Sequence, residues 1–271
     1  MSDLSFPPAA AHARYAIERR LAGTSRPAED ELAEEVPVAL VFNGVSHAVM
    51  LATPEHLEDF AVGFSLSECI VGAASEITDL DILHGPLGIE VRMGIIGLRD
   101  ATLRQRRRSL AGRTGCGLCG IESLAQMAPR PAARAHDFAI AAAALVRAQS
   151  EAAALQDLHH RTGAVHAAAW CAADGTVCLL REDVGRHNAL DKMIGALANG
   201  RRGFGDGFAL LTSRASVEIV QKAAAVGIPL LACVSAPTGL AVRVARDAGI
   251  ALVGFLRGDR HCVYSHPERV R

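Results

Sequence analysis

The chain has 271 residues, half of them apolar and 21% charged, which suits one large or two modest domains around a sizeable core and excludes disorder. Lys plus Arg (28) and Asp plus Glu (29) leave a formal charge of −1, without the basic excess of a general nucleic-acid binder, so no nucleic-acid partner is expected. Aromatic residues make up only 4%, so the interior must be built mainly from Ala, Val, Leu and Ile.

Met1-Ser2-Asp3-Leu4 lacks a basic segment followed by an apolar one, so no signal peptide is expected. Residues 1–35 mix Ala, Pro and charge, with acidic clusters at Glu29-Asp30-Glu31 and Glu34-Glu35, and read as a loose lead-in. Val36–Phe42 and Val45–Leu51 flank Asn43-Gly44, a hairpin turn in which both central residues take φ > 0. Thr53-Pro54 predicts an N-cap with proline at the first helical position, and Leu57, Phe60, Ala61 and Phe64 give helical spacing over 55–70. Short strands are expected near 77–83 and 88–96.

Ala128–His136 reads as a linker, after which Asp137 is placed to cap an Ala-rich helix over roughly 138–158. Strands Val165–Cys171 and Thr176–Leu180 meet at Asp174-Gly175, a second hairpin that would set Cys171 opposite Cys178. Trp170 reads as core. The last ninety or so residues alternate: helix 188–198, strand 208–212, helix 216–226, strand 230–234, helix 238–248 and strand 250–256. Gly200, Gly227 and Gly249 stand where helix ends want a left-handed residue. This alternation predicts βαβ units and a parallel sheet. The organisation expected is a lead-in over 1–35, an α+β domain over 36–135 and an α/β domain over 136–271.

The longest uncharged apolar stretches, Phe138–Val146 and Ala223–Val234, fall short of the ~18–20 residues that span a bilayer, so no membrane partner is expected. Seven cysteines is an odd number, and five stand singly among apolar residues, which predicts a reduced, cytoplasmic protein.

Three places could carry chemistry. The first is Gly115-Cys116-Gly117-Leu118-Cys119-Gly120, two thiols on a glycine-hinged turn, preceded by Arg104, Arg106, Arg107, Arg108 and Arg113. Neighbouring cations lower a thiol's pKa and favour the nucleophilic thiolate, so the segment suits sulfur chemistry; a disulfide or half a zinc site are the alternatives. His159, His160 and His166 could complete a zinc site on paper. However, a zinc deaminase needs His-x-Glu and Pro-Cys-x-x-Cys, whereas Ala167-Ala168 follow His166 and Gly115 precedes Cys116, so no structural metal is expected.

The second is Arg181-Glu182-Asp183-Val184-Gly185-Arg186-His187-Asn188, polar residues between an apolar strand and an apolar helix. At a helix N-terminus Arg186 and His187 could bind an anion, with Glu182 and Asp183 orienting them or accepting ligand hydrogen bonds. A salt-bridged cap without ligand is the alternative. The third is a set of strand-end loops: Thr212–Ser216 with Arg214, Ser235–Thr238, and Arg257-Gly258-Asp259-Arg260-His261, which in a parallel sheet emerge on one edge and suit a phosphate or nucleotide. Ser216 and Thr238 individually read as N-caps. Lys222 follows Glu218 by four residues and reads as a local helix pair.

The run from Arg181 to Lys192 resembles the signature of the formate dehydrogenase accessory sulfurtransferases, the FdhD/NarQ family. The likeness extends to Asn43-Gly44, Ala52-Thr53-Pro54, Cys116–Gly120, Thr162–His166, Ser213–Ala223, Ser235–Thr238 and Leu252–Phe255, and covers nearly the whole chain after residue 35. Ser67-Glu68-Cys69-Ile70 departs from the Glu-Gly-Ile usual there.

The resemblance implies a sulfur carrier, classed as a sulfurtransferase. It would take sulfur from a cysteine desulfurase as a persulfide on Cys116, with Cys119 assisting. The sulfur would go to a molybdenum (or tungsten) bis(pterin guanine dinucleotide) cargo before insertion into the formate dehydrogenase catalytic subunit. It also implies cargo contacts on Phe255, Leu256, Arg257, Gly258, Asp259 and Arg260, a GDP-like nucleotide as mimic of that cargo, a cytidine-deaminase-like α/β/α C-terminal domain without zinc, and a homodimer. Arg186, His187 and Arg214 join Arg257 and Arg260 as candidates to hold the cargo's negative charge. A non-covalent cofactor chaperone and a zinc-dependent hydrolase are the competing functions.

Overall fold

The computed structural model describes residues 10–96 and 137–271. Among these residues, two sheets and six α-helices carry the site, preceded by a two-stranded ribbon.

The ribbon corrects the expectation of a loose lead-in. Strands β1 (His12–Leu21) and β2 (Thr24–Ala33) pair antiparallel along their whole length. The turn is Ala22-Gly23, both with positive φ. Most of the ribbon is exposed, so no buried face imposes an alternation that could be read in advance.

A four-stranded sheet follows in the order β4-β3-β6-β5. It contains β3 (Val36–Phe42), β4 (Val45–Ala52), β5 (Ile77–Gly85) and β6 (Gly88–Ile95), and β3 meets β4 through the expected Asn43-Gly44 turn. Helix α1 (Leu57–Ser67) starts later than Thr53-Pro54 predicts. Thr53 is buried in contacts to the other sheet, and the N-cap is His56 in the left-handed region. The helix stops before Cys69, which takes φ 54.

The second sheet is mixed, in the order β12-β11-β10-β9-β7-β8. Only β9 (Gly207–Leu211), β10 (Leu230–Cys233) and β11 (Ala251–Arg257) run parallel to their neighbours in that group, as the alternation predicts. The hairpin β7 (His166–Ala172) and β8 (Val177–Asp183) joins antiparallel on one side, and β12 (Arg260–Ser265) on the other. Strand β12 starts within Arg257–His261, which the alternation predicts as a strand-end loop. A register shift at the β7–β8 turn puts Cys171 opposite Val177 rather than Cys178.

Helix α2 (Ala142–Ala154) and the short α3 (Asp157–Thr162) divide the span expected as one helix. Residues near 270 set its start: Ile140 and Ala142 donate to the carbonyls of Arg269 and Arg271 at 2.9 and 2.7 Å, which keeps Ile140 and Ala141 out of the helix and starts it at Ala142. Helices α4 (Arg186–Asn199), α5 (Val217–Val226) and α6 (Gly239–Asp247) lie close to expectation. Gly227 and Gly249 are left-handed, but after α4 that role falls to Arg201 and not Gly200.

Successive residues of the central strands feed two cores. Ala168, Trp170, Ala209 and Leu211 face the larger one, shared with α1, α4, α5, α6 and the four-stranded sheet. Ala169, Cys171, Phe208 and Leu210 face the smaller one under α2. Small residues let the helix pair α1–α4 approach to backbone contact. A Cβ on Gly63 would overlap the carbonyl oxygen of Asp191, and one on Gly195 that of Asp59.

Candidate functional site

Strands β8, β9, β10 and β11 end on one edge of the six-stranded sheet, where β7 begins. Their loops are stitched into a continuous rim. Ala167 N–H donates to Thr212 Oγ1 at 2.9 Å, Thr238 N–H to the Ala215 carbonyl at 3.0 Å, and Phe255 N–H to the Ser235 carbonyl at 3.3 Å. Four strand intervals separate β8 from β11, so the rim is about 19 Å across at the usual strand spacing.

At one end stands the Arg181–Lys192 run, most of which is structural. Asp183 is fully buried and accepts from Thr53 N–H (3.1 Å), Gly185 N–H (2.7 Å), Asn188 Nδ2 (2.9 Å) and Lys192 Nζ (2.7 Å). Lys192 also donates to the Thr53 carbonyl at 2.9 Å, Asn188 to the Leu51 carbonyl at 2.8 Å, and Val184 N–H to Thr53 Oγ1 at 3.1 Å. The run therefore fastens the end of β4 to the rim. Glu182 accepts the N–H groups of Leu158 and His159 at 2.8 and 2.9 Å, closing the first turn of α3. Neither carboxylate is free for a ligand, contrary to expectation.

Asp191 and Lys222 form a second buried knot. Lys222 Nζ lies 2.8 Å from Asp191, 3.1 Å from Glu68 and 3.0 Å from Ser67 Oγ. Burial works against the ammonium, but Asp191 and Glu68 outweigh it and raise its pKa. Lys222 is thus a tie between α1, α4 and α5, not the local partner of Glu218. Charges so deep were missed in the sequence. The available signal was Asp191-Lys192 standing beside the apolar stripe Leu190, Met193 and Ile194.

His187 overturns its expected role as a cation. Burial, then Lys222 and Arg186, hold its pKa at about 3, so the ring is neutral. Its Nε2 sits 3.3 Å from Ser216 Oγ and 3.9 Å from Glu218, and it joins two loops of the rim. Ser216 occupies the N-cap of α5 without a capping hydrogen bond, whereas Thr238 does cap α6, accepting from Ala241 N–H at 3.2 Å.

Arg186 differs from His187 in having an unpartnered donor. It is half-buried at the first residue of α4, and its Nε is buried with no hydrogen-bond partner among the described residues. Such an orphaned donor beside a helix N-terminus suits an anion. Arg214, Arg257 and Arg260 are exposed along the rim and make no ion pair with a described residue.

The far end of the rim is the β11–β12 hairpin. Phe255 is exposed at φ 52, next to a register shift between Gly254 and Arg257. A non-glycine residue held there stores about 1–3 kcal/mol of backbone strain, a feature that concentrates at functional sites. Leu256 points into the smaller core, while Arg257, Gly258 (φ 59), Asp259 and Arg260 are exposed. Gln149 of α2 clamps this backbone: its Nε2 donates to the Leu256 carbonyl at 3.0 Å and its Oε1 accepts Gly258 N–H at 2.7 Å.

Below the rim, on the α2 face, lies a cavity of about 540 Å³. Gln149, Gln156, His159, His166, Thr212 and Val234 are among its lining residues. Among the described residues no three His, Cys, Asp or Glu side chains converge as metal ligands. No helix among them is long and apolar enough to cross a membrane. Cys116, Cys119 and the arginine run before them lie outside the described residues.

The comparisons agree with one another. The chain is 54% identical over 260 residues to the sulfur carrier protein FdhD of Cupriavidus necator, covering 96% of this chain and 90% of that one. It is 55% identical over 245 residues to the sulfur carrier protein FdhD of Chromobacterium violaceum, covering 89% and 91%. Its fold matches a crystal structure from Desulfotalea psychrophila, described as a candidate formate dehydrogenase accessory protein. That match has a TM-score of 0.75 at 24% identity, over 97% of this chain and 100% of that chain. A family model described as the FdhD/NarQ family matches residues 33–271, and the chain belongs to that family.

Proposed function

We propose that this chain is a sulfur carrier for formate dehydrogenase maturation. It takes sulfur from a cysteine desulfurase as a persulfide on Cys116 and passes it to a molybdenum (or tungsten) bis(pterin guanine dinucleotide) cargo held on the rim. The observation that carries this is the Cys116-Gly117-Leu118-Cys119 pair in a chain about half identical to proteins named sulfur carriers. In loading, the Cys116 thiolate attacks the outer sulfur of the donor's persulfide, one S–S bond replaces another, and the donor leaves as a thiolate. In delivery, the Cys119 thiolate attacks Cys116 sulfur and releases sulfide to the cargo. The resulting disulfide is reopened by a cellular dithiol reductant.

The rim suits the cargo's charge and length. Arg186, Arg214, Arg257 and Arg260 supply guanidinium groups for phosphates, and a span of about 19 Å fits an extended dinucleotide better than a single nucleotide. His187, being neutral, positions Ser216 rather than binding phosphate. We infer further that residues 136–271 form a cytidine-deaminase-like unit, beside a smaller unit over 36–135 that bears the cysteine loop. The protein would work as a cytoplasmic homodimer.

Complementation tests the reading. In cells lacking the native carrier, the wild-type chain should restore formate dehydrogenase activity and the Cys116→Ala chain should not. Restoration by a Cys116→Ala, Cys119→Ala double variant would instead show a cofactor chaperone without a covalent step.

A further inference from the structure

The register of β1 and β2 sorts the residues of the exposed ribbon onto two unlike faces. The pairs His12–Ala33, Arg14–Glu31 and Glu18–Pro27 share one face, whose base turns to α3: Arg161 reaches His12 at 3.5 Å and Glu31 at 4.0 Å. The pairs Ala13–Leu32, Tyr15–Asp30, Ile17–Ala28, Arg19–Arg26 and Leu21–Thr24 share the other. That second face is mostly apolar, yet Tyr15, Leu21 and Leu32 on it are 43%, 76% and 41% exposed. Arg19 and Arg26 stand opposite each other across the ribbon, a like-charge pair that costs stability. Both are exposed, and neither makes an ion pair with a described residue. Asp30, four positions along β2 from Arg26, is likewise exposed and has no cation beside it among the described residues.

We propose that this face of the ribbon is where two copies of the chain meet. This deepens, and rests on, the homodimer reading given above, by naming the surfaces in contact. Two such faces can be laid together about a two-fold axis in two ways, and the charges allow one of them. With the axis crossing the ribbon at Ile17–Ala28, the copies run in opposite directions, β1 over β1 and β2 over β2. Arg26 of each copy then meets the partner's Asp30, and Arg19 meets the ring of the partner's Tyr15, an ion pair and a cation–π contact each made twice. The Tyr15 ring is fixed for this by its hydroxyl, which donates to Glu34 at 2.5 Å. Ile17 packs on its own copy, and Leu21 covers the partner's Ala13. With the axis along the ribbon instead, the arginine rows of the two copies would coincide, and their repulsion excludes that arrangement. The footprint is about 33 Å by 10 Å, which places this dimer among small, reversible interfaces.

Sedimentation velocity of the full-length protein, with reductant and over a wide range of concentration, tests this. Wild type should pass from monomer to dimer as it is concentrated. Arg26→Asp sets Asp against Asp in both contacts, and Asp30→Arg sets Arg against Arg, so each variant alone should self-associate roughly tenfold more weakly or worse. An equimolar mixture of the two should associate within a few-fold of wild type, because one copy then carries Asp at both positions and the other Arg at both. Recovery on mixing also shows that both variants fold. Variants that each associate as wild type does overturn the ribbon face and leave a homodimer made elsewhere standing. Variants that lose association and do not recover it on mixing overturn the proposed pairing. Wild type that stays monomeric at every concentration overturns both the homodimer and its ribbon contact, and leaves the apolar face to a different protein.

Discussion

The Lys192 ammonium lies 2.7 Å from the Asp183 carboxylate, and both side chains are completely buried. The pair sits where β4, β8 and α4 meet, and each partner also bonds to Thr53. Burial pushes the lysine's pKa down, opposed by Asp183. Two charges removed from water in this way contribute little net stability, but each is costly to leave alone. The pair therefore acts as a fastener that tolerates one register between the two sheets.

Lys192→Met should accordingly destabilise the protein by about 3–5 kcal/mol, because it leaves the Asp183 charge buried and unpaired. Replacing both partners, Lys192→Met with Asp183→Leu, should cost less than the sum of the two single changes. Urea unfolding of the four proteins measures both effects, and strict additivity would show that the residues do not act as a pair.

Gly63→Ala and Gly195→Ala should each destabilise by about 2 kcal/mol or more. On an exposed helix the same change would gain about 1 kcal/mol from propensity. Here the added methyl meets the facing helix's backbone, which has nowhere to move. A rise in thermal midpoint for either variant would contradict the backbone contact between α1 and α4.

His187 makes stability fall in acid. Its pKa drops from 6.5 in the unfolded chain to about 3 in the folded one, with burial the main cause. Above about pH 6.5 neither state is protonated there. Below it the unfolded chain takes a proton that the folded protein refuses, so stability declines by up to about 1.4 kcal/mol per pH unit until about pH 3. His56 and His166, also pushed down mainly by burial, act in the same direction. Urea unfolding at pH 7, 6 and 5 should show a shallower decline for His187→Gln than for wild type. Equal slopes would mean that the ring is protonated in the fold.

Gln149→Ala should release the β11–β12 hairpin while leaving the core intact. The Gly258 amide, which donates to Gln149 at 2.7 Å, should lose its hydrogen-exchange protection, and GDP should bind several-fold more weakly. Global stability should change by only about 1 kcal/mol, the net worth of a typical hydrogen bond or two. An unchanged Gly258 exchange rate would show that the hairpin holds itself.

Local chemistry made much of the architecture legible. Asn43-Gly44 announced its turn because few other dipeptides take positive φ twice, and the α4–β11 alternation was carried by apolar periods of helical length. The ribbon β1–β2 was hidden because its residues have no buried face to mark and its turn is Ala22-Gly23. Within the site, sequence placed Arg186, Arg214, Arg257 and Arg260 on one edge, since strand direction fixes where loops emerge. It could not give protonation or pairing. His187 is neutral because of what surrounds it, and Lys222 turned from Glu218 to Asp191, 31 positions away. Gln149 and Gln156 look like ordinary helix-surface residues until the hairpin and the cavity come to meet them.

The central claim is a sulfur atom carried on Cys116. The direct measurement is intact-mass spectrometry after incubation with a cysteine desulfurase and cysteine, without reductant, on wild type, Cys116→Ala and Cys119→Ala. The account predicts that wild type and Cys119→Ala each gain the mass of one sulfur atom, removable by a reducing agent, and that Cys116→Ala gains none. An added sulfur on Cys116→Ala equal to that on wild type would contradict it.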